Sequence, residues 1–333
     1  MLTRRKLMGA SAAAAVTAFG LPVSAQGQTM KFASATLNDV QHQFQKLFKE
    51  KLESQMDGQE VELYPASQLG PIPRMVEGVM FGTIEAFITA TAFLSQVDPR
   101  FQAFDVAGLF QDPNRTRSLL SNDDFRARIQ TYGNDRNIEP IATFAHSPNT
   151  IISKRPLTSL DDLRGLKVRV LGTPFQVEPI KALGATPVPM PLSEVMPAIQ
   201  TGTIDAVISA PTVASAFRYY DAAPHMMMVP SWPLIVTVAA SRSWLSGLPQ
   251  EAATSVRQIA QEAELEAVQW GEADVQKAAE TWAENGGVVS SITPEIEEAL
   301  QSTISESTQS LVSSNDVLAN EVDALRKISV SLG

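Results

Sequence analysis

Arg169 is the residue whose type and setting point most directly to chemistry. It stands in the run Leu163-Arg164-Gly165-Leu166-Lys167-Val168-Arg169-Val170-Leu171-Gly172, a short strand entered from one glycine turn and left through another. A strand inside a βαβ unit is normally covered on both faces and apolar throughout. A permanently charged guanidinium near its carboxyl end is costly unless something anionic meets it. In open α/β sheets that end of the strands is also where ligands bind. The chemistry implied is anion capture, since a planar guanidinium can hold a carboxylate through two parallel charge-assisted hydrogen bonds. A structural ion pair is the competing reading of the same charge.

Further polar candidates sit at other strand ends. Ser34 and Thr36 lie at the end of the first predicted strand, Gln68 follows the second, and Thr89 and Thr91 lie at the end of the third. Each serves as well as a turn or cap residue. Phe175, at the start of the helix after Arg169, walls the pocket or packs in the core. Trp232, between Pro230 and Pro233, is expected in a loop where the chain recrosses between domains, there to pack on a ligand or to seal a hinge. His146 reads as a satisfied polar residue rather than a contact.

Covalent and metal chemistry find little support. The chain has no cysteine, hence no disulfide framework, no thiolate nucleophile and no Cys-ligated metal. The three histidines, His42, His146 and His225, match no metal-ligand spacing. No phosphate-cradling, dinucleotide-binding, nucleophile-elbow or zinc-protease motif appears. Acidic pairs such as Asp123-Asp124 and Asp161-Asp162 read as helix caps or solvated turns. No cofactor and no metal are therefore expected.

The elements that must position Arg169 alternate. Met30 to Ala35, Glu60 to Tyr64 and Ile84 to Ala90 read as strands, with helices from Asp39 to about Met56 and from Pro73 to Phe81. One helix is expected over 115–131 and a strand over 138–144. A second βαβαβ unit runs from Lys167 to Ser209, with helices over about 174–183 and 193–201, Ser193 acting as N-cap and Gly202 as the residue past the end. Pro249 to Glu284 reads as one helix that could exceed roughly 50 Å, long enough to run across two domains. The order predicts two α/β domains, each a mostly parallel sheet flanked by helices.

The amino-terminal segment reads as an export signal: a basic Thr3-Arg4-Arg5-Lys6 start with paired arginines, an Ala-rich apolar stretch, and Val23-Ser24-Ala25 as a cleavage site. The apolar stretch is about 15 residues, short of the ~20 that span a bilayer. This predicts a chain cleaved near Ala25 and free in the periplasm. The formal net charge is −10, and the signal removes three of the basic residues. Nucleic acid and anionic membrane surfaces are poor partners for such a chain, and an anionic ligand must be held by local groups.

The stretch Lys154-Arg155-Pro156-Leu157-Thr158-Ser159-Leu160-Asp161-Asp162-Leu163-Arg164-Gly165-Leu166-Lys167-Val168-Arg169-Val170 resembles the central signature of DctP-type solute-binding proteins of TRAP transporters. Ala182-Leu183-Gly184-Ala185-Thr186-Pro187-Val188-Pro189-Met190, Leu192-Ser193-Glu194-Val195 and Gln200-Thr201-Gly202-Thr203-Ile204-Asp205-Ala206 continue the likeness. Upstream, Tyr64-Pro65-Ala66-Ser67-Gln68-Leu69-Gly70 and Gly82-Thr83-Ile84-Glu85 extend it over nearly the whole chain after the signal. The resemblance implies a two-domain periplasmic-binding-protein fold joined by a long helix. It implies a domain I of 26–148 plus about 236–275 and a domain II of 149–235 plus about 276–333. It implies that Arg169 grips the carboxylate of a small organic acid, and that the partners are the small and large membrane subunits of a TRAP permease, with the binding protein itself a monomer. Relatives often carry a second arginine where this chain has Asn149, an asparagine where it has Ser209, and an aromatic where it has Leu192. Those departures predict a monocarboxylate held mainly by Arg169, with Asn149 and Ser209 as neutral hydrogen-bonding groups. An exported ligand sensor and an exported enzyme on the same fold are the alternatives.

Overall fold

The computed structural model describes residues 29–110 and 112–332; the expected export signal lies outside the described residues. The first βαβαβ unit comprises β1 (Thr29–Ser34), α1 (Val40–Gln55), β2 (Glu60–Tyr64), α2 (Ile72–Met80) and β3 (Ala86–Ala90). Helices α3 (Pro113–Leu120) and α4 (Asp123–Ile129) lead to a long strand, β4 (Ile138–Ser153). The second unit is β5 (Lys167–Val170), α5 (Pro174–Ala182), β6 (Thr186–Pro189), α6 (Leu192–Thr201) and β7 (Ala206–Ser209). The chain continues through α7 (Pro211–Ala216), a second long strand β8 (His225–Ser241), α8 (Arg242–Gly247), α9 (Gln250–Glu284), β9 (Val288–Ser291), α10 (Pro294–Ser313) and α11 (Asp316–Ser331).

Local sequence accounts for most boundaries. Asp39 caps α1 by accepting from the His42 backbone N–H at 3.1 Å, and Phe44 and Phe48 on its inner face pack edge-on against Phe32 of β1. Some boundaries differ from expectation by more than a frayed end. The helix expected over 115–131 breaks at Ser121, because the Asn122 side chain accepts from the Phe125 N–H and starts a new helix. Helix α6 begins two residues earlier than a Ser193 cap implies, with Pro191 as its uncapped N-cap, and closes on Gly202 with φ 78°.

Among the described residues, nine strands form one sheet in the order β2-β1-β3-β8-β4-β7-β5-β6, with β9 paired to β8. Each βαβαβ unit is parallel within itself. The two units are joined by β4 and β8, which run antiparallel to each other, to β7 and to β3, while β9 adds to β8 in parallel. Here the sequence-based expectation was too short: β4 runs on to Ser153, and Trp232 lies inside β8 rather than in a loop. The prolines that suggested a loop are accommodated where the β4–β8 register shifts, between Pro148 and Asn149 for one.

Helix α9 touches both halves. Val256, Ile259 and Ala260 pack with Phe44 and Phe144 of the first half, while Trp282 packs with Ile152, Tyr219 and Tyr220 of the second. At 35 residues it spans roughly 50 Å. Its partner in closing the fold is α11. The expected division placed 276–333 with the second half, yet Leu318, Val322 and Leu325 of α11 are buried with Phe101 and Tyr132 of the first. Buried Glu321 fixes that docking by accepting from Arg128 Nη2 at 2.7 Å and from the Tyr132 hydroxyl at 2.5 Å.

Candidate functional site

The carboxyl ends of β1, β3, β5 and β7 converge where the two parallel units face each other across β4 and β8. A small cavity, about 50 Å³, lies there. Thr36 follows β1, Thr89 ends β3, Arg169 stands on β5, Ser209 ends β7, and Asn149 comes from the crossing strand β4; all five line the cavity. Each parallel unit thus contributes strand ends to one space, as expected for ligand sites in open α/β sheets.

Arg169 is only 2 % exposed. Its Nη1 donates to the Ile208 carbonyl at 3.2 Å, and its Nε and Nη2 donate to the Met190 carbonyl at 3.3 and 3.2 Å. These are long bonds to neutral acceptors, and a guanidinium has five N–H groups, so two are left over. No carboxylate among the described residues lies within ion-pairing distance of it. Burial pushes its pKa down to about 10, with only the Tyr219 phenol pulling the other way. Tyr219 is itself buried with an unpartnered hydroxyl, and burial raises its phenol to about 12. The guanidinium is therefore a buried charge that the protein solvates poorly and that faces a cavity.

Asn149, Ser209 and Thr89 surround it with side chains that make no hydrogen bond among the described residues, although all are under 8 % exposed. Thr36 differs, for its hydroxyl is spent on Asp39 at 2.9 Å. Asp39 is buried with His146, whose Nε2 lies 3.0 Å from Asp39 Oδ2. Burial alone would raise Asp39, but the His146 contact and the N–H of His42 hold it below the ordinary carboxylate range. Sequence alone gave no sign of this pair, because its members are far apart in the chain and meet only through the fold. His146 is satisfied there, behind the cavity wall.

The remaining sequence candidates stand elsewhere. Ser34 donates to the Thr36 carbonyl or Gln45 Oε1 at 3.0 Å, buried under α1. Thr91 shares a hydrogen bond of 2.8 Å with Thr237 inside the sheet. Gln68 is exposed in the turn after β2. Phe175 is buried with Leu109 and Phe110 of the first half, although its helix belongs to the second. Trp232 is buried with Val168, Ile292 and Leu300. None of these five lines the cavity. The apolar lining, which includes Ile72, Phe93, Leu171, Leu192, Val213 and Leu234, carries no local signal, since such residues are equally ordinary in a core.

A larger groove, about 420 Å³, runs between α3, the β4–β8 crossing and α9. Its Arg117 is already paired with Glu272, so it lacks the uncompensated charge that marks the Arg169 cavity. Among the described residues no cluster of three or more His, Asp or Glu side chains is arranged to hold a metal, and no helix is long and apolar enough to cross a membrane.

The family model for bacterial extracellular solute-binding proteins, family 7 (DctP), matches residues 32–315. The chain belongs to this family. Its members bind solutes and are not enzymes. A 2,3-diketo-L-gulonate-binding periplasmic protein of Escherichia coli is 27 % identical over 72 % of this chain and 74 % of its own length. A solute-binding protein of Roseobacter denitrificans is 30 % identical over 78 % and 81 %. Among solved structures, a TRAP periplasmic solute-binding protein from Desulfovibrio salexigens with bound orotic acid superposes with a TM-score of 0.86 at 20 % identity, covering 92 % of this chain and 99 % of that one. One from Shewanella oneidensis with bound succinate gives 0.83 at 18 % identity, covering 91 % and 99 %. These structures establish the two-unit α/β fold.

Proposed function

We propose that this family 7 protein captures a small organic acid between its two halves, with Arg169 as the carboxylate anchor, and delivers it to TRAP-type membrane subunits. The observation that carries the reading is the buried guanidinium of Arg169, which has no acidic partner among the described residues and faces a cavity. A carboxylate there meets the two spare N–H groups and returns the charge balance that burial removed. Asn149 and Ser209 then donate from β4 and β7, and Thr89 from the other half. Contacts from both halves mean that the ligand binds a closed form better than an open one, which is the differential affinity that closure requires. The names of the relatives agree in kind: sugar acids and dicarboxylates recur among the molecules they are said to bind. Delivery in the periplasm and the presence of a cleaved export signal belong to the same proposal.

Arg169→Ala is expected to weaken acid binding by roughly 3 kcal/mol, on the order of a hundredfold, from loss of a buried charge partner. Isothermal titration calorimetry over mono- and dicarboxylates checks it. Equal affinity in the variant would remove Arg169 from the site.

A further inference from the structure

We infer that the acid is a short monocarboxylate with an apolar tail. This rests on the reading of Arg169 as anchor and narrows it. Among the described residues Arg169 is the one cationic side chain that lines the cavity. A second carboxylate on the ligand would have to leave water for a lining with no further positive charge, which is costly in an enclosed site. Poly-hydroxylated acids fare little better. Every buried hydroxyl needs a partner, and among the described residues the lining side chains with no bond of their own are Thr89, Asn149 and Ser209. Thr36 is spent on Asp39 at 2.9 Å, and Gln41 gives one N–H to Asp39 at 3.4 Å, which leaves its amide oxygen and second N–H as the one further polar group. The carboxylate itself needs part of that small set.

The rest of the lining is aliphatic or aromatic and comes from separate elements. Ile72 stands on α2, Phe93 in the turn after β3, Leu192 on α6, Val213 on α7 and Leu234 on β8. Such a surface rewards a hydrocarbon tail at about 25 cal/mol per Å² buried. Size sets the upper limit. The cavity is about 50 Å³, and a water-sized group takes roughly 10–15 Å³ on that scale. It therefore admits a carboxylate followed by only a few carbons before Leu192 or Leu234 must move. A chain of roughly three to five carbons in all meets both limits.

The test is a calorimetric titration of the intact chain, and of Arg169→Ala, with acetate, propionate, butyrate, isovalerate, succinate and glucuronate. Affinity is expected to rise about fourfold per added methylene from acetate to butyrate. Succinate, which is butyrate with its terminal methyl exchanged for a second carboxylate, should bind at least tenfold more weakly than butyrate. Leu234→Ala, at a half-buried position, should cost butyrate more affinity than acetate. A flat series, or succinate or glucuronate binding more tightly than butyrate while Arg169→Ala abolishes the binding, overturns the apolar tail and leaves the anchor standing. Binding of none of these acids, or binding untouched by Arg169→Ala, overturns the anchor as well.

Discussion

Arg169, the proposed carboxylate anchor, is a side chain whose charge is a liability to the fold that holds it. Its three hydrogen bonds go to neutral carbonyls, and burial already lowers its pKa to about 10. Replacing a poorly compensated buried charge with an apolar group of similar volume is often neutral or stabilising. Arg169→Met is thus expected to leave the melting temperature of the ligand-free protein unchanged or higher while abolishing the ligand-induced thermal shift; differential scanning fluorimetry reads both. Glu264 on α9 offers a second case. It accepts from Arg126 at 2.6 Å, yet burial raises its pKa to about 7. The folded state then holds a proton that the unfolded chain, near the ordinary 4.3, has released. Stability from this group is present below about pH 4 and lost as pH rises through 7. Burial lowers His42 and acts in the opposite sense, so the informative quantity is a difference. Glu264→Gln should gain about 2 kcal/mol relative to the parent chain between pH 5.5 and 8, in denaturant melts at both values.

The elements explain why Arg169 was legible and several other candidates were not. A charge in an otherwise apolar strand breaks a local pattern, so β5 announces it. Asn149 and Ser209 were found only through likeness to a family, since nothing in their own segments sets them apart. Phe175 and Trp232 each left two readings open for one physical reason: local sequence shows that an aromatic will be buried but not against which neighbour, and both pack in cores. The two long strands were concealed by Pro140, Pro148, Pro230 and Pro233, residues that usually end a strand. They survive because the β4–β8 pairing shifts register near them, so the missing N–H groups fall at irregular positions. The turn from α9 into β9 is tighter than its sequence suggests. A Cβ on Gly287 would overlap the Trp282 ring, and Trp282 Nε1 donates to the Pro224 carbonyl at 2.8 Å. Gly287→Ala should destabilise the protein by about 1–3 kcal/mol through overpacking, measured by chemical denaturation.

At the scale of the whole molecule, the alternation of strands and helices disclosed both parallel units, and the length of α9 disclosed that it spans them. The docking of α11 onto the first half was not legible, because an amphipathic helix does not encode its address. Among the described residues β4, β8, α9 and the turn from α10 into α11 all cross between the halves, and the register irregularities of β4 and β8 cluster around 140–149. Bending there is expected to close the cleft when a ligand binds, so that small-angle scattering should report a smaller radius of gyration with saturating acid than without it, and no change for Arg169→Ala. The same topology governs how the chain comes into being. Ile88 pairs with Val238, and Phe144 with Val236, so the first half lacks the strand that joins β3 to β4 until more than two-thirds of the polypeptide has left the ribosome. Neither half can ripen alone during synthesis. Such non-local pairing makes folding slow and late, and this leaves a long interval in which a nascent chain stays open to whatever machinery escorts it.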